Sequence, residues 1–184
     1  VNRVATAPMY IDDTASITVS EIRAKCRRLK QTKNLELIVI DYLQLMQSSG
    51  RTESRQNEIA EISRSLKILA KELNIPVIAL SQLSRAAESR SDKRPMLSDL
   101  RESGAIEQDA DMVLFLDRPA MYGAQTINSN RYGLISSDGV GIMHVAKNRE
   151  GATGRIYFRH NKSLTRITDY DSPATDVIGE AGPF

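Results

Sequence analysis

The chain has 184 residues, 25 Lys and Arg against 23 Asp and Glu, a net charge of +2 and one cysteine, Cys26. That length suits one domain with a real core, and the near-balanced charge excludes a polycation. One cysteine excludes an internal disulfide framework, and neither a signal peptide nor a membrane-length apolar run is present, so a reducing, cytoplasmic location is expected.

Residues 8–13, Pro-Met-Tyr-Ile-Asp-Asp, read as a short strand and a turn. Val19, Ile22, Cys26 and Leu29 then recur at helical spacing over 18–31. Thr18 or Ser20 caps that helix, and Glu21 completes a capping box with Thr18. Its other face is basic, with Arg23, Lys25, Arg27, Arg28 and Lys30. The apolar run 35–41 follows and ends abruptly in Asp41. Such a run reads as a strand buried on both faces, as in parallel sheets flanked by helices. Ligands of these sheets collect outside the carboxyl ends of the strands, where P-loop ATPases place a magnesium-holding carboxylate. A solvated Asp closing a strand is the alternative at this point.

Residues 46–57 are polar and read as a loop. Ile59, Ile62, Leu66, Leu69 and Leu73 define an amphipathic helix over about 55–74, ended by Asn74 and Pro76. A second buried strand spans 76–81, with Gln82 at its carboxyl end. Residues 84–99 are charged and loop-like, a short helix spans 103–109, and a third apolar strand spans 111–116. Residues 118–138 read as irregular, a variable insertion rather than a site. Alternating runs at 140–146 and 155–160, joined by the turn 150–154, form an antiparallel hairpin. A second basic cluster lies here, with Lys147, Arg149, Arg155, Arg159, Lys162 and Arg166. Residues 171–184 read as a frayed tail after a folded portion spanning 1–170. The alternation of strands and helices makes the fold class α/β, a mostly parallel sheet flanked by helices and finished by the hairpin.

Four segments in this order resemble the DnaB family of hexameric replicative DNA helicases. Ile38–Met46 is similar to the family's Walker B segment, and Ala79–Arg85 to its sensor-glutamine segment. Lys93–Asp111 resembles its DNA-binding loop and following helix, and Ala146–Gly151 its Lys-x-Arg finger. The resemblance implies a RecA-like ATPase that encircles single-stranded DNA as a homo-hexamer, uses ATP and Mg2+ at subunit interfaces, and works with a primase and a helicase loader. Asp41 would hold Mg2+ through its water shell, and Gln82 would couple the γ-phosphate to the DNA loop. Arg101, Glu102 and Gly104 would place that loop on the DNA backbone, and Arg51 and Arg55 are further candidates for the DNA channel. Lys147 and Arg149, two apart on a strand, would reach the neighbouring subunit's phosphates. The family usually has Gln where this chain has Asn148, and Glu150 beside the finger departs from its pattern.

No Gly-x-x-x-x-Gly-Lys-Ser/Thr occurs in the chain. The resemblance places the P-loop strand between the strands 76–81 and 111–116, so the core is expected to be incomplete, with two apolar edges unpaired. The chain on its own is then expected not to turn over ATP. A recombination-type ATPase and a non-catalytic DNA-binding or interaction module are the other readings.

Overall fold

The computed structural model describes residues 6–48, 50, 53–161 and 166–171. It divides into two compact units, Val1–Gln82 and Leu83–Phe184.

The first unit holds helix α1 (Val19–Lys33), strand β1 (Ile38–Ile40), helix α2 (Arg55–Leu73) and strand β2 (Val77–Ala79). The capping box at α1 forms as the sequence predicts. The Thr18 hydroxyl accepts from the Glu21 amide, and the Glu21 carboxylate accepts from the Thr18 amide. Both helices end on an asparagine in the left-handed region, Asn34 (φ 52) and Asn74 (φ 50), a conformation asparagine tolerates better than most side chains. Val19, Ile22 and Cys26 from α1, and Ile59, Ile62, Leu66 and Leu69 from α2, are buried with Ile38 and Ile40. Strands β1 and β2 pair in parallel, Ile38 opposite Val77 and Ile40 opposite Ala79.

Three details differ from the sequence reading. Residues 8–13 form no strand. Ile11 is 84% exposed, and Asp12 instead accepts from the Thr14 amide and pairs with Lys25 at 2.5 Å. Asp12 thus closes an Asx-type turn onto Thr14. The two central strands are also covered on one face only. Val39 is 59% exposed and Ile78 50%, while their neighbours Ile38 and Ile40 are buried.

The second unit carries the 3-10 stretches Arg85–Ser89 and Leu97–Ser103, then helix α3 (Gly104–Asp109), strand β3 (Met112–Asp117) and a further 3-10 stretch, Pro119–Tyr122. Strands β4 (Thr126–Ser129), β5 (Gly133–Ser136), β6 (Val140–Asn148), β7 (Gly154–Asn161) and β8 (Arg166–Asp169) follow. The sheet order is β3-β6-β7-β8, all antiparallel, with a bulge where β3 meets β6 between Val113 and Leu114. Along β3, Val113, Phe115 and Asp117 are buried, whereas Leu116 is 65% exposed. Among the described residues β2 pairs only with β1, and β3 only with β6. The fold is therefore mixed α/β; among the described residues its parallel pairing is that of β1 with β2 and an isolated bridge between Thr18 and Gln47.

The third difference is the segment 118–138, which is ordered. β4 and β5 form their own hairpin, and Ile127 and Ile135 enter a core with Val140, Ile142 and Tyr170. Three tyrosines, Tyr132, Tyr157 and Tyr170, pack around it edge to face or tilted. The predicted tail 171–184 lies outside the described residues beyond Asp171.

Candidate nucleotide and DNA site

In the first unit, the carboxyl ends of β1 and β2 lie side by side. The Leu80 amide donates to the Ile40 carbonyl at 2.9 Å, and the Leu43 amide donates to the Leu80 carbonyl at 2.9 Å. Adjacent parallel strands thus deliver Asp41 and Gln82 to one edge, as the sequence reading requires. Asp41 is exposed just beyond β1, and the Asp41–Tyr42 peptide bond is cis.

Gln44 is a member of this site that sequence reasoning missed. It sits in the 3-10 turn Leu43–Leu45 after β1. Its Oε1 accepts from the Gln82 amide at 3.2 Å, and its Nε2 donates to Ser81 Oγ at 3.1 Å. The side chain thereby spans the two strand ends and fixes the backbone that carries Gln82. Nothing in the sequence could have found it, because the partners are 38 residues apart.

Arg55, a sequence candidate for the DNA channel, has partners within the chain. Its Nη2 donates to the Gln44 carbonyl at 2.6 Å, and its Nη1 is bound to Glu58. It ties the start of α2 to the turn after β1. Arg51 lies outside the described residues.

In the second unit, the segment before α3 is shaped by one ion pair. Arg90 Nη1 and Nη2 donate to the two oxygens of Asp99, each at 2.6 Å, and Nη2 also reaches the Arg94 carbonyl at 2.5 Å. Asp99 is buried and also accepts from the Met96 amide at 2.8 Å. The Arg90 guanidinium, and after it the Met96 amide, hold the Asp99 carboxyl below the usual carboxylate range. A stretch that reads as a charged loop is therefore a clamped one.

Positions 101 and 102 fall in the 3-10 stretch Leu97–Ser103, and their side chains lie outside what is described. Gly104 is exposed at the junction with α3, and its φ is −50. A Cβ placed on it would meet nothing within 4 Å. Neither backbone conformation nor packing within the chain calls for glycine here. In a helix glycine costs roughly 0.5–1 kcal/mol relative to alanine.

Lys147 and Arg149, at the end of β6 and just beyond it, both reach the same feature. Lys147 Nζ donates to the Glu107 carbonyl at 2.5 Å, and Arg149 Nη2 donates to the Gln108 carbonyl. Arg149 Nη1 also approaches Asp111 at 3.4 Å, with both side chains about half exposed. Among the described residues no cluster of three His, Cys, Asp or Glu could enclose a metal, and no helix is long and apolar enough to cross a membrane.

The family described as DnaB-like helicase C terminal domain matches residues 1–169. The chain is 54% identical over 169 residues to the replicative DNA helicase DnaB of Geobacillus stearothermophilus, covering 91% of this chain and 35% of that protein. It is 52% identical over 170 residues to the replicative DNA helicase DnaC of Bacillus subtilis (strain 168), covering 92% and 36%. It thus spans about a third of the length of the curated relatives it matches. Two solved structures superpose with a TM-score of 0.82 over 92% of the chain. One is a DnaB-like replicative helicase studied with primase, 39% identical and covered over 40% of its length. The other is described as an ATPase domain, 38% identical and covered over 57% of its length.

Proposed function

We propose, from the premise that this chain belongs to the DnaB-like helicase C-terminal domain family, that it serves a hexameric replicative helicase. That machine couples ATP hydrolysis at subunit interfaces to movement along single-stranded DNA and duplex unwinding. The observation that carries the reading is the delivery of Asp41 and Gln82 to one edge by adjacent parallel strands, with Gln44 bracing the second.

Each residue has a defined task in this reading. Asp41 suits Mg2+ bound with its water shell. That ion binds proteins through one or two carboxylates plus substrate phosphates, and an exposed single carboxylate at a strand end matches that habit. When bound, the ATP·Mg2+ complex supplies the phosphoryl group and the charge neutralisation its transfer needs. Gln82 would sense the terminal phosphate. Lys147 and Arg149 would stabilise charge on the neighbour's nucleotide, where a finger supplied in trans is worth roughly 10³–10⁵ in rate. Gly104, with Arg101 and Glu102, would let the loop lie on a DNA backbone without reading bases. A primase, a loader and a cytoplasmic setting accompany this role. The high identity to replicative helicases favours it over a recombination-type ATPase or a stand-alone interaction module.

The test is complementation in mixed rings of the full-length protein. Subunits carrying Arg149→Ala are mixed with subunits carrying Asp41→Asn. Head-to-tail interfaces then re-form some sites with both groups intact, and ATPase activity is expected to return in part. Activity at background for every mixing ratio would show that Arg149 does not act in trans.

A further inference from the structure

Helix α3 is six residues long, far below the roughly 12–15 at which a helix becomes even marginal alone in water. Its stability must come from what it touches. On the apolar side, Leu100 is buried with Val113 and Phe115, and Leu97 and Ile106 pack against them. On the polar side, its last carbonyls lack helical partners, as at any helix end. Those of Glu107 and Gln108 are taken by Lys147 and Arg149. The Arg149 amide adds a bond to the Asp111 carbonyl at 2.9 Å. Two cations at a helix carboxyl end also complement its dipole. The 3-10 stretch Leu97–Ser103 runs into α3 without a break, so the seat of α3 sets the position of Gly104.

We infer that Lys147 and Arg149 are positioning residues for the loop Leu97–Gly104, and that a nucleotide on the neighbouring subunit competes with α3 for their donors. The inference rests on the functional reading above. Phosphate oxygens are stronger acceptors than carbonyls, because both partners are then charged. Drawing either cation onto a phosphate removes a tie from the carboxyl end of α3 and alters the seat of the loop. The nucleotide finger and the DNA loop are thus joined by side chains that serve both. By linkage, DNA on the loop changes nucleotide affinity by the same factor that nucleotide changes DNA affinity.

The experiment uses the full-length ring and a labelled single-stranded oligonucleotide, with and without a non-hydrolysable ATP analogue. Lys147→Met keeps the apolar stem and removes the donors. Its nucleotide-free DNA affinity should fall about fivefold, at the lower end of typical coupling factors, and the analogue should change that affinity less than in wild type. Lys147→Arg, which can still donate to the Glu107 carbonyl, should restore both. Arg101→Ala is the control for the loop itself. If Arg101→Ala weakens DNA binding and Lys147→Met does not, the loop reading stands and the positioning role is wrong. If neither variant weakens it, the DNA-loop reading itself fails. Should Lys147→Met rings not assemble, hydrogen exchange in wild type decides. Amides 104–110 should exchange faster when the analogue is bound, and unchanged exchange would overturn the proposal.

Discussion

Gln44→Ala tests the bracing of Gln82. The side chain makes two bonds of ordinary length to the β2 end, at 3.2 and 3.1 Å, and a third contact at 3.5 Å that is too long to count. The site is partly solvated, so water replaces some of what is lost. Each bond then sits near the low end of the net range, roughly 0.5 kcal/mol, and the two together near 1 kcal/mol. If that ordering is expressed in the transition state, kcat falls about fivefold. The assay is steady-state ATP turnover by the full-length protein at saturating single-stranded DNA. KM for ATP should move less than kcat, because Gln82 would act on the transferring phosphate rather than hold the nucleotide. Gln44→Glu keeps an acceptor for the Gln82 amide but no donor for Ser81, so it should fall between. An unchanged kcat in Gln44→Ala would refute the bracing role. So would a loss of activity matched by an equal loss of thermal stability.

Arg101→Ala should weaken binding to unrelated single-stranded oligonucleotides alike and lower the salt slope by about 1, and an effect confined to one sequence would count against a backbone contact. Gly104→Ala should stabilise α3 while weakening DNA binding, and unaltered DNA affinity would leave this glycine without a role. Because its native carboxyl is depressed, Asp99 lends stability above the ordinary carboxylate value and loses it as pH falls through the depressed one. Carboxyl ¹³C NMR should therefore place its midpoint below about 3.9, and a midpoint at or above that value would contradict the clamp. Ile135→Ala should cost roughly 2–5 kcal/mol, since Ile135 is 0% exposed, and a melting temperature close to wild type would mean the β4–β5 hairpin is dispensable.

Local signals were legible in the sequence. The apolar period of α1 and α2 and the capping residues Thr18 and Asn74 set both helices within a residue or two. Strand ends located Asp41 and Gln82 for the same reason, because an apolar run that stops on a polar residue is a local pattern. What escaped was non-local. The segment 118–138 hides Ile127 and Ile135 among Gly, Asn and Ser, and only their meeting with Val140 and Tyr170 makes a core. Gln44 with Gln82, Arg90 with Asp99, and Lys147 with Glu107 are polar pairs closed by the fold, and no periodicity announces them. The strand predicted at 8–13 failed in the opposite way. No partner strand among the described residues receives it.

The half-covered strands have a calorimetric consequence. Val39, Ile78 and Leu80 on one sheet, and Met112, Leu114 and Leu116 on the other, already meet water in the folded chain. Apolar surface wet in both states cancels from the heat capacity of unfolding. The increment for this chain should therefore fall below the usual figure of roughly 12–15 cal/mol/K per residue, and its stability curve should be correspondingly flat. Any molecule that comes to lie on those rows would register as a negative heat-capacity change of association. Titration calorimetry at several temperatures can then report that the rows have been covered before the covering partner is known.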